Sequence, residues 1–319
     1  MREITIVVPV YNEEESLRIL HDQIKSVITK LDANLELIFI DDGSTDKSWS
    51  IISELSANDA CVRGIRFRRN FGKAAALDVG FKKATKPIVM TLDADLQDDP
   101  EEIPDFLRLI DSGYDVVSGW KKKRHDPWHK VGPSRVFNWL VSSMTGVKLH
   151  DHNCGMKCYR REIFDEITLY GELHRFVPVL AAARGYKVGE KIVQHRARKF
   201  GVSKYGFNRF IKGFLDLLTV SFVTGYGQRP QHLLGTVGLS SFAIGALTML
   251  WLAFRWVISR VIPFLPIYNL SGRPAVVYSA ALMLLGAQFL STGVVAELFI
   301  SYQNRKGREY SIKEEINRK

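Results

Sequence analysis

Residues 88–97 read Ile-Val-Met-Thr-Leu-Asp-Ala-Asp-Leu-Gln, an apolar run followed directly by two carboxylates. The run has the length and composition of a buried strand, so Asp93 and Asp95 fall on the loop behind it. Carboxylates two residues apart on a loop can bind one divalent cation, and Mg²⁺ or Mn²⁺ bound in this way commonly bridges phosphates. Acidic surface loops are common, so the position of this pair in the fold decides whether it indicates a metal site.

The same alternation of apolar runs and helical patterns extends outward from this stretch. Further strands are predicted at Ile4–Val8, Leu35–Ile40, Val62–Phe67 and Asp115–Ser118, and helices at Glu13–Leu31, from Ser44, at Lys73–Ala84 and at Glu101–Asp111. Strands that alternate with helices predict an α/β fold with a mostly parallel sheet and helices on both faces. Ligands of such sheets bind beyond the carboxyl ends of the strands, which here are Pro9–Glu13, Asp41–Ser44 and Asp93–Asp95.

The chain has 319 residues and a formal net charge of +10, and its basic residues are clustered. Seven Lys or Arg lie between Arg196 and Pro230 against one acid, Asp216, and six more follow Ser301. Both clusters border long apolar runs, so a membrane surface is the expected partner and nucleic acid is not. Three cysteines are too few for a disulfide framework and fit a reducing cytosol.

Two long segments, residues 230–254 and 275–296, contain no Asp, Glu, Lys or Arg. Each has about the 20 residues that a helix needs to cross a bilayer, so two transmembrane helices are predicted, with buried soluble helices as the alternative. The connection Arg255–Pro274 carries three Arg, fewer than either outer flank. By the positive-inside rule the flanks and the N-terminal domain are cytoplasmic, and the connection lies outside.

The segment Tyr205–Tyr226 has an apolar stripe at helical spacing, with Arg209 and Lys212 off the stripe. It is predicted to lie in the membrane surface, and the alternative is an ordinary amphipathic helix packed on the domain. The sequence therefore predicts a multi-pass protein of the cell membrane. Its parts are a cytoplasmic α/β domain at 1–204, interfacial helices at 205–229, two transmembrane helices with a short extracytoplasmic loop at 230–300, and a basic cytoplasmic tail at 301–319.

Three motifs together resemble those of one known family. They are Val7-Val8-Pro9-Val10-Tyr11-Asn12-Glu13-Glu14, Asp41-Asp42-Gly43-Ser44 and Asp93-Ala94-Asp95-Leu96-Gln97. The pattern looks like the family 2 glycosyltransferases and closely resembles the dolichyl-phosphate mannose synthase group. With its two C-terminal spans, the chain is most similar to bacterial polyisoprenyl-phosphate glucosyltransferases. The resemblance implies that residues 1–204 form a catalytic domain of the Rossmann-like GT-A fold.

The resemblance also implies roles for individual residues. The uridine of a UDP-sugar would be held by Pro9, Tyr11, Glu13 and Asp41. The metal, Mg²⁺ or Mn²⁺, and the donor diphosphate would be held by Asp93, Asp95 and Gln97. Asp151, in the loop His150–Lys157, would lie near the sugar. The catalytic residues would thus be Asp93, Asp95 and Asp151.

Four basic residues are predicted to bind the phosphate of an acceptor: Arg124, Arg135, Arg198 and Lys204. They lie in segments that the resemblance places around the site, the last two in its R-x-x-G-x-S-K motif. Arg contacts phosphate through a planar fork of N–H groups, and Lys through a point charge. A phosphate monoester is already largely anionic at neutral pH, so positioning it matters more than a general base. Attraction of anionic lipid is the alternative role for these residues.

The predicted activity is transfer of a hexose, glucose, from a UDP-sugar to polyprenyl (undecaprenyl) phosphate. The resemblance implies inversion and a β-linked product. Mannose, N-acetylglucosamine or aminoarabinose donors stay open, as does a membrane scaffold that binds nucleotide-sugar without turnover. A processive polysaccharide synthase would carry a Q-x-x-R-W motif, which the sequence lacks. A homo-oligomer is left open.

Overall fold

The computed structural model describes residues 2–122, 128–167, 173–196, 215–217, 219–220, 230–264 and 266–303. The chain divides into two compact units, Met1–Thr224 and Gly225–Lys319. The first unit confirms the predicted α/β class with a mostly parallel sheet. The second unit contains two long apolar helices.

One sheet of seven strands is present in the described part of the chain: β1 (Arg2–Val10), β2 (Ala33–Asp41), β3 (Val62–Arg66), β4 (Ile88–Thr91), β5 (Val116–Trp120), β6 (Lys157–Arg160) and β7 (Val188–Ile192). Their order across the sheet is β3-β2-β1-β4-β6-β5-β7. β6 runs antiparallel to β4 and β5, and the other pairs are parallel. The first four strands are therefore adjacent, and their carboxyl ends meet at one edge of the sheet.

The helices of the first unit are α1 (Leu17–Lys30), α2 (Ser48–Asn58), α3 (Lys73–Lys83), α4 (Ile103–Asp111), α5 (Trp128–Thr145), α6 (Ile163–Glu166) and α7 (Val177–Ala183). Single 3₁₀ turns lie at Pro100–Glu102 and Leu173–Arg175. α1 begins at Leu17, later than the predicted Glu13, because the chain turns first: the amide of Ser16 donates to the carbonyl of Glu13. The residues directly behind β1 are thus a loop at the edge of the sheet.

The sheet is buried on both faces, and each face has its own apolar core. On one face Ile4, Ile6 and Val8 of β1 pack with α1, α2 and α4. On the other face Val7 packs with α3 and α7. Successive side chains of a strand point to opposite faces, so a strand covered on both faces reads as a nearly continuous apolar run, here broken only by Thr5. This is why the strand at Ile4–Val8 can be predicted from the sequence.

The second unit is a pair of helices, Pro230–Val261 and Pro274–Gln303. Gly238 and Gly286 lie at their contact, where a Cβ on Gly238 would be 2.8 Å from the carbonyl oxygen of Gly286. Backbones approach this closely only where side chains are absent. Both helices are long and apolar enough to cross a membrane, in agreement with the predicted spans.

The first apolar helix extends to Val261, beyond the charge-free segment that ends at residue 254. Arg255 and Arg260 therefore lie on a helix and not in the connection between the spans. The guanidinium of Arg255 lies 4.5 Å from the ring centroid of Tyr268, and that of Arg260 lies 5.6 Å from the ring of Trp256. Arg side chains that lie against aromatic rings are compatible with an apolar helix, so the helix is longer than the charge-free segment from which it was predicted.

The predicted interfacial segment, 205–229, is described only at residues 215–217 and 219–220, which are helical. Leu217 and Val220 are buried in the core that contains Phe176, whereas Leu215 is exposed. At these positions the segment packs on the first unit, and its predicted place in the membrane surface stays a prediction. The rest of 205–229 and the tail beyond residue 303 lie outside the described residues.

Candidate active site

The loops behind β1 and β2 are tied together at the predicted ligand edge. The amide of Asn12 donates to the Ser44 hydroxyl at 2.9 Å, and the side-chain carbonyl of Asn12 accepts from the amide of Thr45 at 2.8 Å. Asn12 has a φ of 54°, a left-handed conformation that Asn adopts more readily than most residues. One asparagine thus fixes the relative position of two loops.

The predicted uridine-binding residues are gathered on these loops. Pro9, Tyr11 and Glu13 follow one another at the end of β1, and each is partly exposed. The amide of Glu13 donates to the Ser48 hydroxyl at 2.9 Å, which fastens this loop to the start of α2. The structure therefore brings the three residues to the edge where Asp41 ends β2, and their contact with uridine stays a prediction.

Asp41 is fully buried, and its carboxylate shapes the turn behind β2. Its Oδ1 accepts from the amide of Ser44 at 2.9 Å, and its Oδ2 lies 3.1 Å from Nε of Arg66. Gly43, inside the turn, has a φ of 72°, and a Cβ there would lie 2.7 Å from the amide nitrogen of Asn70. If Asp41 also contacts a ligand, its carboxylate would therefore face that ligand and Arg66 at the same time.

Asp42 has a role that was not predicted from the sequence. Its carboxylate accepts from the amides of Phe71 and Gly72 at 2.7 and 2.9 Å, directly before α3 begins. Burial raises the pKa of Asp42, although the two amide hydrogen bonds oppose the rise. The side chain fixes the start of α3 and with it the position of Lys73.

Asp93 and Asp95 lie on a tight turn behind β4. Leu96 has a φ of 58°, and Oδ1 of Asp95 accepts from the amide of Gln97 at 3.2 Å. Asp93, Asp95 and Gln97 are each partly exposed. The three residues predicted to hold a metal thus occupy one short turn at the ligand edge of the sheet.

Gly155 brings the loop before β6 against this turn. A Cβ at Gly155 would lie 2.6 Å from Cγ of Asp93, so no larger residue fits without a shift. The carbonyl oxygen of Gly155 accepts from the hydroxyl of Thr91 at 2.6 Å, which holds the loop to β4. Gly155 therefore lies directly against the Asp93 carboxylate and limits its position.

The chemistry of the turn fits a divalent cation such as Mg²⁺ or Mn²⁺. Asp93 and Asp95 offer carboxylate oxygens and Gln97 offers an amide oxygen, and these ions prefer such hard ligands. Within the described ranges, no group of three Asp, Glu, His or Cys could hold a metal ion by itself. Two carboxylates suit a Mg²⁺ site that is completed by water and by the phosphates of a substrate.

Three lysines surround the acidic turn, and none of them was predicted from the sequence. Lys73 pairs with Asp93, Lys121 Nζ lies 2.8 Å from Asp98, and Lys157 is buried on β6. Burial acts to raise the pKa of Asp93, but the Lys73 ammonium, helped by Lys121 and Lys157, lowers it below its usual value. Burial also lowers the pKa of Lys157 to about 8. Positive charge at this edge favours an anionic ligand.

Asp151 lies on the loop between α5 and β6 and is almost fully buried. Its Oδ1 accepts from the amide of Asn153 at 3.0 Å, and its own amide donates to Glu190 at 3.1 Å. The ring of His150 stacks on Trp120, with centroids 3.9 Å apart, and its Nδ1 lies 2.7 Å from Glu190. These contacts fix the loop, and the predicted contact of Asp151 with the donor sugar stays a prediction.

A groove of about 700 Å³ opens beside this loop. Its lining includes Trp120, Lys121, Lys122, Arg135, Trp139 and Lys148. None of its lining residues in the described part of the chain is acidic. Trp139 is 67% exposed, and Nζ of Lys122 lies 5.7 Å from the ring centroid of Trp120. Arg135 is the predicted acceptor residue here, whereas Lys122, Trp139 and Lys148 were not predicted. A lining of cations and two indole rings suits an anion that carries an apolar group.

The other three predicted acceptor residues, Arg124, Arg198 and Lys204, lie outside the described residues. The chain that leads toward Arg198 is described as far as Arg196, whose amide donates to the carbonyl of Gln97 at 2.9 Å. The guanidinium of Arg196 pairs with Asp99. Arg196, the last described residue before Arg198 and Lys204, therefore lies beside the acidic turn.

Known proteins resemble this chain along nearly its whole length. The model of glycosyl transferase family 2 matches residues 5–168. The dodecaprenyl-phosphate galacturonate synthase of Rhizobium johnstonii is 35% identical over 302 residues, which cover 93% of this chain and 87% of the relative. The undecaprenyl-phosphate 4-deoxy-4-formamido-L-arabinose transferase of Proteus mirabilis is 36% identical over 299 residues, which cover 93% and 88%.

Solved structures confirm the fold. The crystal structure of glucosyl-3-phosphoglycerate synthase from Mycobacterium tuberculosis, in complex with Mn²⁺, uridine diphosphate and phosphoglyceric acid, matches with a TM-score of 0.54. It is 17% identical, and the match covers 70% of this chain and 78% of the other. At this identity the likeness concerns the arrangement of the sheet and helices alone.

Proposed function

The chain belongs to glycosyl transferase family 2, and we propose that this glycosyltransferase transfers a hexose from a UDP-sugar to undecaprenyl phosphate. One observation carries the proposal: Lys121 lines the basic groove and also pairs with Asp98, next to the predicted metal turn. A donor held at Asp93 and Asp95 and an anionic acceptor in the groove would therefore lie side by side. The named relatives act on polyprenyl phosphates, which supports this class of acceptor.

The donor is proposed to bind at the edge where β1, β2 and β4 end. Uridine would lie along Pro9, Tyr11, Glu13 and Asp41, and its diphosphate would lie at Asp93 and Asp95. The Mycobacterium tuberculosis enzyme of like fold was solved with Mn²⁺ and UDP, which supports Mg²⁺ or Mn²⁺ on this turn. Such an ion would neutralise the charge that develops on the departing UDP. Gln97 would complete the protein's share of the ligands.

The acceptor phosphate is proposed to lie in the groove against Arg135, Lys122 and Lys148. Their charges would hold the phosphate and orient one of its oxygens toward the anomeric carbon, and Arg124, Arg198 and Lys204 would add to them. The oxygen is already anionic, so orientation and charge neutralisation would supply most of the protein's part in catalysis. Attack from the face opposite the leaving UDP would invert the anomeric centre and give a β-linked product. Asp151 would contact the sugar between the two sites.

The second unit and the nature of the acceptor support the proposed membrane arrangement. Two helices that can span a bilayer would anchor the enzyme where its lipid substrate resides. The basic flanks before Pro230 and after Ser301 support a catalytic unit on the cytoplasmic side, as the positive-inside rule expects. A multi-pass enzyme of the cell membrane would then receive a soluble donor from the cytoplasm and its acceptor from the inner leaflet.

Glucose is the proposed sugar, on the resemblance to bacterial polyisoprenyl-phosphate glucosyltransferases. Galacturonate and 4-deoxy-4-formamido-L-arabinose are the other candidates, because relatives at 35% and 36% identity are named for them. The test is a donor panel with the full-length protein in nanodiscs, Mn²⁺ and undecaprenyl phosphate, read by mass spectrometry of the lipid product. UDP-glucose, UDP-galacturonate, UDP-N-acetylglucosamine, a UDP-aminoarabinose and GDP-mannose form the panel. Product from UDP-glucose above all others is expected. Preference for another sugar would overturn the choice of glucose, and no product with any donor would overturn the activity.

A further inference from the structure

Lys73 is the first residue of α3, and its ammonium pairs with Oδ1 of Asp93. Both side chains are about one third exposed, at 31% and 29%. The pair therefore lies at the surface of the site, where a ligand can reach it. An internal cation thus contacts an oxygen of a carboxylate that is proposed to face the metal and the donor diphosphate.

The two backbones that carry this pair are held independently of each other. The amides of Phe71 and Gly72, directly before Lys73, donate to Asp42 at the end of β2. Asp93 follows β4, and its carboxylate is packed against Gly155. The flexible side chain of Lys73 bridges the two anchored segments. The ion pair can therefore open by rotation of the lysine side chain, without a shift of either loop.

A divalent cation and the ammonium would compete for Asp93. Both are attracted to the same carboxylate, and two cations in contact with it would repel each other strongly at such short range. Binding of the metal would thus displace Lys73 Nζ from Asp93. The diphosphate that arrives with the metal offers the released ammonium a new anion within the reach of its four-carbon stem.

We propose that Lys73 is the counter-ion of Asp93 in the metal-free enzyme and moves to the diphosphate of the nucleotide when donor and metal bind. This inference rests on the proposed function, because it assumes that the Asp93 turn receives a metal and a nucleoside diphosphate. It makes metal and nucleotide binding cooperative, since the nucleotide removes the cation that competes with the metal. By linkage, the metal strengthens nucleotide binding by the same factor.

A purely structural role for Lys73 predicts the opposite sign. If the ammonium serves only to orient Asp93, its removal would leave the carboxylate misplaced and would weaken the binding of metal in the absence of nucleotide. If Lys73 competes with the metal, the same removal strengthens binding. Metal affinity without nucleotide therefore separates the two roles, and it requires no turnover.

The experiment uses the full-length protein in nanodiscs and two binding measurements. Mn²⁺ binding without nucleotide is followed by the electron paramagnetic resonance signal of free Mn²⁺, and UDP binding with saturating Mn²⁺ is followed by calorimetry. The variants are Lys73→Met, Lys73→Gln and Lys73→Arg. Lys82→Met is the matched control, because Lys82 pairs with Asp78 at 2.6 Å on the outer part of the same helix.

Lys73→Met and Lys73→Gln are expected to bind Mn²⁺ alone roughly two- to five-fold more tightly, as the loss of a part-exposed ion pair predicts. Both should bind UDP with Mn²⁺ about tenfold more weakly, because a charge-assisted contact to the diphosphate is lost. Lys73→Arg keeps the charge and should stay near the wild type in both measurements, and Lys82→Met should match the wild type.

Weaker binding of Mn²⁺ alone by both neutral variants would overturn the proposal in favour of a purely structural role for Lys73. Unchanged UDP affinity in these variants would overturn the contact with the diphosphate. A wild-type protein that binds neither Mn²⁺ nor UDP would instead overturn the proposed function on which the inference rests. Thermal unfolding of each variant shows whether a loss of binding comes from loss of the fold.

Discussion

Gly155 and Asp93 are in contact across two loops, so closely that a Cβ on the glycine would lie 2.6 Å from the carboxylate carbon. Gly155→Ala must therefore displace either the loop or the carboxylate. Because a small displacement of a catalytic group is costly, we expect kcat/KM for sugar transfer to fall roughly ten- to a hundred-fold. In steady-state assays, half-maximal activity should also require a higher Mn²⁺ concentration, because the displaced carboxylate binds the metal more weakly.

The control for Gly155→Ala is Gly132→Ala, because nothing lies within 4 Å of a Cβ at Gly132 on α5. This variant should retain full activity, and alanine is a better helix former than glycine. Equal activity of the Gly155 variant and the wild type would show that the position of the Asp93 carboxylate is not critical.

Asp95→Asn tests whether the second carboxylate of the turn holds the metal. The amide keeps the size of the side chain, and an acceptor oxygen can still face the Gln97 amide that Asp95 binds at 3.2 Å. Loss of one charged ligand should weaken Mn²⁺ binding and lower kcat about a hundred-fold, as expected when several kcal/mol of charge stabilisation are lost. Mn²⁺ titrations of activity measure both effects.

Asp78→Asn in α3 is the matched control for Asp95→Asn, since it removes a carboxylate of the same unit that pairs with Lys82 and is not part of the turn. It should leave the Mn²⁺ titration unchanged. Full activity of Asp95→Asn at the same Mn²⁺ concentration would remove Asp95 from the set of metal ligands.

The part of the fold that could be predicted is the part that is buried on both faces. Ile4–Val8 and Leu35–Ile40 read as apolar runs, each interrupted by one polar residue (Thr5 and Glu36), because helices cover both sides of the central strands. β6 and β7 were not predicted, since Lys157–Arg160 and Val188–Ile192 are short and mix polar with apolar residues. β6 is also antiparallel, which alternation of strands and helices does not indicate.

In the candidate site, too, residues that are close in sequence could be predicted, whereas contacts between distant residues could not. Asp93 and Asp95 are two residues apart, so the sequence displays them as a pair. Lys73 pairs with Asp93 across 20 residues, and nothing in the local pattern marks that lysine as a partner. The sequence signal that could have identified this lysine was its place at the start of the predicted helix Lys73–Ala84, behind the third strand. Ion pairs between loops depend on the tertiary fold, and one sequence does not reveal them.

Arg135→Ala and Lys148→Ala test the groove as the acceptor site. Each removes a cation from the lining, where it is proposed to contact the acceptor phosphate. The KM for undecaprenyl phosphate should rise roughly tenfold or more in each variant, as for loss of a hydrogen bond to a charged group. The KM for the UDP-sugar should change less than twofold, because the donor binds at the strand ends.

Arg108→Ala serves as the control for the groove variants, because Arg108 lies on α4 and pairs there with Asp105. It should leave both KM values unchanged. A parallel rise of donor and acceptor KM in the groove variants would contradict a separate acceptor site. An unchanged acceptor KM in both would move the phosphate out of this groove.

His152 should make the stability of the enzyme sensitive to acid. The residue is fully buried, its Nε2 lies 3.2 Å from the Ser142 hydroxyl, and burial, helped by the charge of Lys157, lowers its pKa from 6.5 to about 3. His152 therefore binds a proton below about pH 6.5 in the unfolded chain, but only below about pH 3 in the folded chain. Unfolding takes up this proton, so stability should decrease as the pH falls through 6.5 toward 3. His152→Gln removes this contribution, and its apparent Tm should fall less between pH 7 and 5 than that of the wild type. Identical slopes for His152→Gln and the wild type would contradict a buried neutral imidazole.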